Sequence, residues 1–380
     1  MRTAFTDLVG VPHPIVGFNR SPGVVAAVTN AGGFGVLGAS AYTPAELDAQ
    51  LTWIEERTGG RPYGVDLLVP EKFAAGDPDN LVASLRAQIP AGHLAFVADL
   101  LDRYGIPEIT RSPSLGAEHD EIAASLNPAG ATALLDVAFR HRISLIASAL
   151  GPPPPGLVAR AKAAGVAVAA LVGQPKHAVR QLEAGVDLLI AQGTEAGGHT
   201  GTIATMVLTP EIVVIAAGRP VLAAGGIASG RQMAAALALG ASGVWCGSVW
   251  LCSEEDVANQ AVKDKFLQAT SSDTLRSPTR TGKPARQLRS AWHDEWEKPG
   301  SPAPLPLPLQ PMLVDEAWQR IDAAARAGHE GALRLESFYV GQVVGSFEQL
   351  RPAGEITRQI VAECEQRIRD LADLSPGATS

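Results

Sequence analysis

Gly185-Val186-Asp187-Leu188-Leu189-Ile190 runs directly into Ala191-Gln192-Gly193-Thr194-Glu195-Ala196-Gly197-Gly198-His199-Thr200-Gly201. The first stretch is a short apolar run of strand character. The second gathers four glycines, a glutamine, a glutamate and a histidine in one loop. Parallel α/β proteins place chemistry at such points, because the buried strand holds the loop rigidly while the loop stays open to ligand. Glycine lets the backbone approach a flat or phosphorylated ligand, and His199 can exchange a proton near neutral pH. The stretch reads as an active-site loop on a parallel strand, with Glu195 bracing the loop.

Outward from this loop, short β-like runs alternate with helix-like stretches from the start of the chain to about Leu251. Strand candidates are Pro14–Val16, Gly35–Leu37, Tyr63–Leu68, Ile143–Ser148, Val166–Val172, Val186–Ala191, Pro220–Ala223 and Gly243–Cys246. Helix candidates lie between them at Gly23–Ala31, Pro44–Arg57, Leu157–Ala164, Lys176–Glu183 and Arg231–Leu239, several ending in Gly just before the next strand. Eight strands and recurring Ala-Gly-Val endings predict an α/β fold, a (β/α)8 TIM barrel over residues 1–251, with an open doubly wound sheet as the alternative. An insertion over about residues 72–142 interrupts the repeat, and Tyr104–Asn127 is expected to form a lid over the barrel mouth. Residues 252–350 read as a smaller, mainly helical region, with a helix over Glu254–Thr270, a basic stretch over Pro278–Arg289 and a proline-rich tract from Pro302 that reads as an extended spacer. Residues 351–374 read as a C-terminal helix that packs back on the barrel.

Across the 380 residues, 46% hydrophobic and 18% charged side chains suit a globular enzyme core and exclude a disordered chain. A net charge of −8 with no continuous basic face argues against nucleic acid as a partner. Cys246, Cys252 and Cys364 form neither a disulfide framework nor a zinc spacing, so no metal is expected. No signal segment or membrane span is evident, and a cytoplasmic setting is expected.

Two glycine-rich turns occupy the seventh and eighth strand positions: Ala223-Ala224-Gly225-Gly226-Ile227 and Trp245-Cys246-Gly247-Ser248. In a barrel these turns meet, and their backbone N–H groups form a phosphate cradle to which Ser248 adds a hydroxyl. The arrangement suits a mononucleotide whose ring spreads over the barrel mouth. The glycine run Asn30–Gly38 precedes its strand and so is not a dinucleotide fingerprint.

Gly193–Gly201, Ala224–Ile227, Ala26-Ala-Val-Thr-Asn-Ala-Gly-Gly-Phe-Gly35 and Thr281-Gly-Lys-Pro-Ala-Arg286 together resemble the nitronate monooxygenases, formerly called 2-nitropropane dioxygenases. The resemblance covers about three quarters of the chain. It implies non-covalent FMN and a catalytic His199. Gln192 and Gly197, with Gly198 beside them, would meet the isoalloxazine or ribityl portion. Gly225 and Gly226 with Trp245, Cys246, Gly247 and Ser248 would surround the phosphate. Asp66 stands where the family has a flavin-contacting asparagine; an ionised carboxylate there accepts but cannot donate a hydrogen bond. Gly17-Phe18-Asn19 replaces the family's Ala-Pro-Met, and Thr200 replaces an arginine. The implied reaction is oxidation of a small nitronate or nitroalkane with O2, in which His199 acts as general base or as a hydrogen-bond partner for the nitronate. The alternatives are an NAD(P)H-dependent FMN reductase acting on a quinone or enoyl thioester, and an FMN-binding protein without turnover. A homodimer is compatible with this reading. His13 is a candidate for approaching the flavin. Trp292 and Trp296 are candidates either for capping the substrate cavity or for apolar docking of the C-terminal region.

Overall fold

The computed structural model describes residues 1–67, 83–108, 128–148 and 151–374. Eight parallel strands close a barrel in the order β1 (Ile15–Asn19), β2 (Phe34–Gly38), β3 (Gly64–Asp66), β4 (Leu145–Ser148), β5 (Ala167–Val172), β6 (Leu188–Gln192), β8 (Val221–Ala224) and β9 (Gly243–Cys246). Each of the eight strand candidates coincides with one of them, and β9 pairs back with β1. The omitted number, β7 (Gly198–His199), lies in the active-site loop itself.

Side-chain alternation explains both faces of the barrel. Val16, Phe34, Val36, Leu145, Ala147, Ala169, Leu188, Ile190, Leu222, Ala224 and Trp245 pack together inside. Val65, Ile146, Val168, Ala170, Leu189 and Ala191 pack outward under the helices. Both faces are apolar, as parallel strands covered by helices require. Continuing the alternation to the carboxyl ends of the strands puts Phe18, Gly38, Asp66 and Gln192 on the interior side, at the mouth.

The five helix candidates are all present, at Pro22–Asn30, Pro44–Thr58, Pro155–Ala164, Pro175–Glu183 and Gly230–Ala238. Helix Pro44–Thr58 shows why such segments are legible. Thr43 and Glu46 cap each other's backbone N–H groups, and Pro44 sits in the first turn, where it costs no hydrogen bond. Helix Thr205–Ala216 is not among the candidates, because Pro210 lies inside it and Ala204 cannot cap it. Its cap comes instead from Glu195, whose carboxylate accepts from the Thr205 N–H at 3.0 and 3.1 Å.

Residues 252–350 include a β-hairpin absent from the sequence reading: β10 (Thr274–Ser277) and β11 (Ala285–Leu288) form an antiparallel sheet in which β11 also pairs with β7. The helix expected over Glu254–Thr270 is confined to Gln260–Gln268, capped by Asn259. The proline-rich tract is not a free spacer. Buried Gln310 accepts from the Leu305 N–H and donates to the Thr279 carbonyl at 2.7 Å each, so the tract is tied to the turn after β10. Of the insertion, helix Ala91–Arg103 joins helices Ala291–Glu297 and Leu309–Arg326 in a second core containing Val97, Leu100, Trp292, Trp296, Trp318 and Ile321. Most of the expected lid, residues 109–127, lies outside the described residues. Helix Ala353–Ala372 packs on Gly230–Ala238 so closely that a Cβ at Gly230 would lie 2.3 Å from the Cys364 nitrogen.

Candidate active site

The loop after β6 is clamped from three directions. Arg286 of β11 donates to the Thr194 carbonyl at 2.8 Å, and Arg276 of β10 donates to the Thr200 carbonyl at 2.8 Å. From the segment after helix Glu330–Leu335, the Gln342 N–H donates to the Glu195 carbonyl at 2.9 Å and the Gly341 N–H to Ser248 Oγ at 2.8 Å. The approach is close on both sides: a Cβ on Gly197 would lie 2.9 Å from Gly341 N and Val340 Cα. The Thr205 hydroxyl lies 3.0 Å from a Glu195 carboxylate oxygen and 2.9 Å from the Gly225 carbonyl, so the brace expected of Glu195 also reaches the seventh-strand turn.

His199 stands on β7 opposite Ala285 of β11. Its Nε2 is 2.7 Å from Thr281 Oγ1, and its ring centroid is 6.4 Å from that of Tyr339. The residue keeps solvent access, yet the protein around its ring, and secondly the positive charge of Lys283, hold its pKa below the ordinary histidine value. Both effects favour the neutral imidazole, the form a base requires. Lys283→Gln should move the acidic limb of the pH–rate profile upward for a substrate that needs proton abstraction. Burial is the larger cause, so the pKa should recover only in part. An unmoved limb would show that the Lys283 charge is not felt at the imidazole.

The two glycine turns lie at adjacent strand ends, since β8 pairs with β9. Gly225 and Gly226 both adopt positive φ, at 96° and 72°, a backbone conformation that glycine takes without side-chain strain. The N–H groups of Gly225, Gly226 and Gly247 find no acceptor among the described residues. A Cβ on Gly247 would meet no atom nearer than Phe18 Cδ1 at 3.7 Å, so there is room above this backbone for a ligand group. Ser248 Oγ accepts from the Gly341 N–H, and among the described residues no acceptor takes its own proton.

Trp245 faces the barrel interior and stacks on Phe18, with centroids 5.6 Å apart and planes at 27°. Cys246 turns the other way: its buried thiol packs among the outer helices, burial pushes its pKa up to about 12, and its carbonyl accepts from Trp250 Nε1 at 2.6 Å. Its share in a cradle is thus limited to backbone. Gln192 and Asp66 face the mouth from different strands. Asp66 is only 7% exposed, and burial alone raises its pKa to about 7. Burial thus favours the protonated carboxyl, which can donate a hydrogen bond that an ionised carboxylate cannot.

Other candidates fall elsewhere. His13 packs beside Gly32 just before β1, at the end of the barrel opposite the mouth. Trp292 and Trp296 belong to the second core, with Trp292 4.9 Å from Trp318 between centroids, and so serve apolar docking rather than capping. Sequence reasoning missed Thr281 and Tyr339 as site residues. Thr281 lies within Thr281–Arg286, one of the stretches that carry the family resemblance, whereas Tyr339 carries no local signal. Among the described residues no cluster of three metal-ligating side chains gathers, and no helix is long and apolar enough to cross a membrane.

The family model for nitronate monooxygenase matches residues 2–363. The chain belongs to the nitronate monooxygenase family. It is 55% identical, over 98% of its length and 99% of the relative's, to a Mycobacterium tuberculosis protein that carries the name of a monooxygenase. It is 30% identical, over 98% and 99% of the two chains, to a Rhodococcus jostii protein named (3aS,4S,5R,7aS)-5-hydroxy-7a-methyl-1-oxo-octahydro-1H-indene-4-carboxyl-CoA dehydrogenase. Among solved structures, nitroalkane oxidase from Streptomyces ansochromogenes superposes with a TM-score of 0.77 at 27% identity, covering 97% of this chain and all of that one. This family member is an oxidoreductase of the monooxygenase type.

Proposed function

We propose that this protein is an FMN-dependent enzyme that oxidises small nitronates or nitroalkanes with O2, with His199 handling the substrate proton. One observation carries the reading: a histidine whose pKa is held below its ordinary value, on a clamped loop, shares the barrel mouth with Gly225, Gly226 and Gly247, whose N–H groups find no acceptor among the described residues. The residues fit a mononucleotide. Gly225, Gly226, Gly247 and Ser248 would hold a phosphate through N–H and O–H donors, and Gln192, Gly197, Gly198 and Asp66 would border the ring. When bound, the flavin supplies the electron-transfer chemistry that side chains cannot. His199 takes the proton from the carbon acid, or donates a hydrogen bond to a nitronate that arrives ionised. Phe18 and Trp245 keep the interior side of the mouth apolar.

The purified protein should be yellow and release FMN, not FAD, on denaturation. Gly247→Val should lower bound FMN severalfold without unfolding the chain, because its side chain would fill space that the protein leaves open. Stoichiometric FAD, or full FMN content in this variant, would sink the cradle assignment. Anaerobic mixing separates the reactions: reduction of the flavin by nitronate supports the proposal. Reduction by NADPH or NADH alone favours the reductase reading, which the carboxyl-CoA dehydrogenase relative keeps in view. Reduction by neither favours a binding protein without turnover.

A further inference from the structure

We propose that Thr281 fixes the tautomer of His199, holding Nε2 protonated so that Nδ1 is the atom that accepts the substrate's proton. The proposal rests on the proton-handling reading of His199 and adds the atom involved and the residue that selects it. Three polar groups meet Thr281 Oγ1: His199 Nε2 at 2.7 Å, the Lys283 carbonyl oxygen at 3.1 Å and the Lys283 N–H at 3.4 Å. A hydroxyl has one proton and two lone pairs. The Lys283 N–H can only donate and the Lys283 carbonyl can only accept, so the arrangement is complete when Oγ1 donates to the carbonyl and accepts from both nitrogens. Nε2 then carries hydrogen, and the lone pair of a neutral ring resides on Nδ1. The opposite assignment spends the hydroxyl proton on Nε2 and leaves the Lys283 carbonyl without that donor.

The same chain serves both protonation states. An imidazolium donates from both nitrogens, so the Nε2–H to Oγ1 bond persists when Nδ1 gains a proton, and no side chain has to turn during the transfer. The relay also counters in part the burial and the Lys283 charge that lower the His199 pKa, since it stabilises the charged ring.

The surroundings hold Thr281 in place. The Gly282 N–H donates to the Pro278 carbonyl at 2.8 Å. A Cβ on Gly282 would lie 2.4 Å from the Leu305 carbonyl oxygen, so the proline-rich tract presses directly on this turn. The tract is in turn tied by Gln310 to Thr279, two residues before Thr281. Basic turn, proline-rich tract and active-site loop, three separate features of the sequence, thus meet at the turn that carries Thr281.

Nitrogen NMR of the full-length protein, labelled in histidine and carrying its cofactor, tests this without any turnover. His199 is one of eight histidines and is assigned by the signal that His199→Asn removes. The wild type and Thr281→Ser should show the Nε2–H tautomer alone. Thr281→Val, which keeps the shape and loses the hydroxyl, should show mixed tautomers and a lower His199 pKa, with turnover of a neutral nitroalkane down on the order of tenfold or more. An Nδ1–H signal in the wild type, or an unchanged ring in Thr281→Val, would overturn the proposal. If the tautomer changes as expected while turnover does not, the assignment to Thr281 stands and the role of His199 as base falls.

Discussion

Asp66→Asn should stabilise the protein strongly at pH 8 and hardly at all at pH 4. Burial in the barrel mouth raises the Asp66 pKa from 3.8 to about 7, and no charged neighbour contributes to that shift. Between these values the folded state holds a proton that the unfolded chain has lost. The unfolded state therefore binds fewer protons, and stability falls as pH rises through this window. About three pKa units correspond to roughly 4 kcal/mol of native-state penalty by pH 8. An asparagine never ionises, so the variant should escape most of it, less the cost of any amide hydrogen left unpaired. Urea unfolding of both proteins at pH 4 and pH 8 isolates the effect, because contributions from other groups cancel in the difference. A variant-minus-wild-type stability that is the same at both pH values would mean that Asp66 is solvated. The same burial bears on function: protonated Asp66 can donate a hydrogen bond as the family's asparagine does, so the departure at this position becomes conservative below about pH 7.

His199→Asn should lower turnover of neutral nitroalkanes by about 10²–10⁴-fold, the usual range for losing a positioned general base. Fold and cofactor should survive, because the only side-chain hydrogen bond His199 makes among the described residues is to Thr281, while the loop is held by Arg276, Arg286 and Gln342 through its backbone. A nitronate supplied already ionised needs no proton abstraction and should lose much less. Steady-state rates on the two substrate forms, with flavin content measured in parallel, check the expectation. Equal losses on both would make His199 a binding group rather than a base, and an unimpaired rate on the nitroalkane would remove it from the reaction.

These two sites differ in how readily the sequence yields them. His199 sits in a glycine-rich loop directly after an apolar strand, a local pattern that needs no knowledge of packing. Asp66 was singled out only through the family resemblance, and the sequence alone suggested an ionised carboxylate. Its raised pKa follows from dehydration inside a closed barrel, a property of all the strands together. Cys246 illustrates the same limit at shorter range, since one step of strand alternation carries its thiol away from the turn that holds Gly247.

The sequence by itself determined the barrel, because strand periodicity, helix caps such as Thr43 and Glu46, and glycine stops are decided by neighbours a few residues apart. It likewise determined the order of the His loop and the two glycine turns along the chain. Only the tertiary structure decided what surrounds His199. Thr281, Arg276, Arg286 and Tyr339 lie 76 to 140 residues beyond their partners in the loop, and β7 exists only because β11 pairs with it. Helix Thr205–Ala216 was hidden for the same reason, its cap being supplied by Glu195 rather than by the residue before it. Hydrogen bonds between distant segments leave no period in the sequence; they form only after the barrel has brought those segments to the same rim.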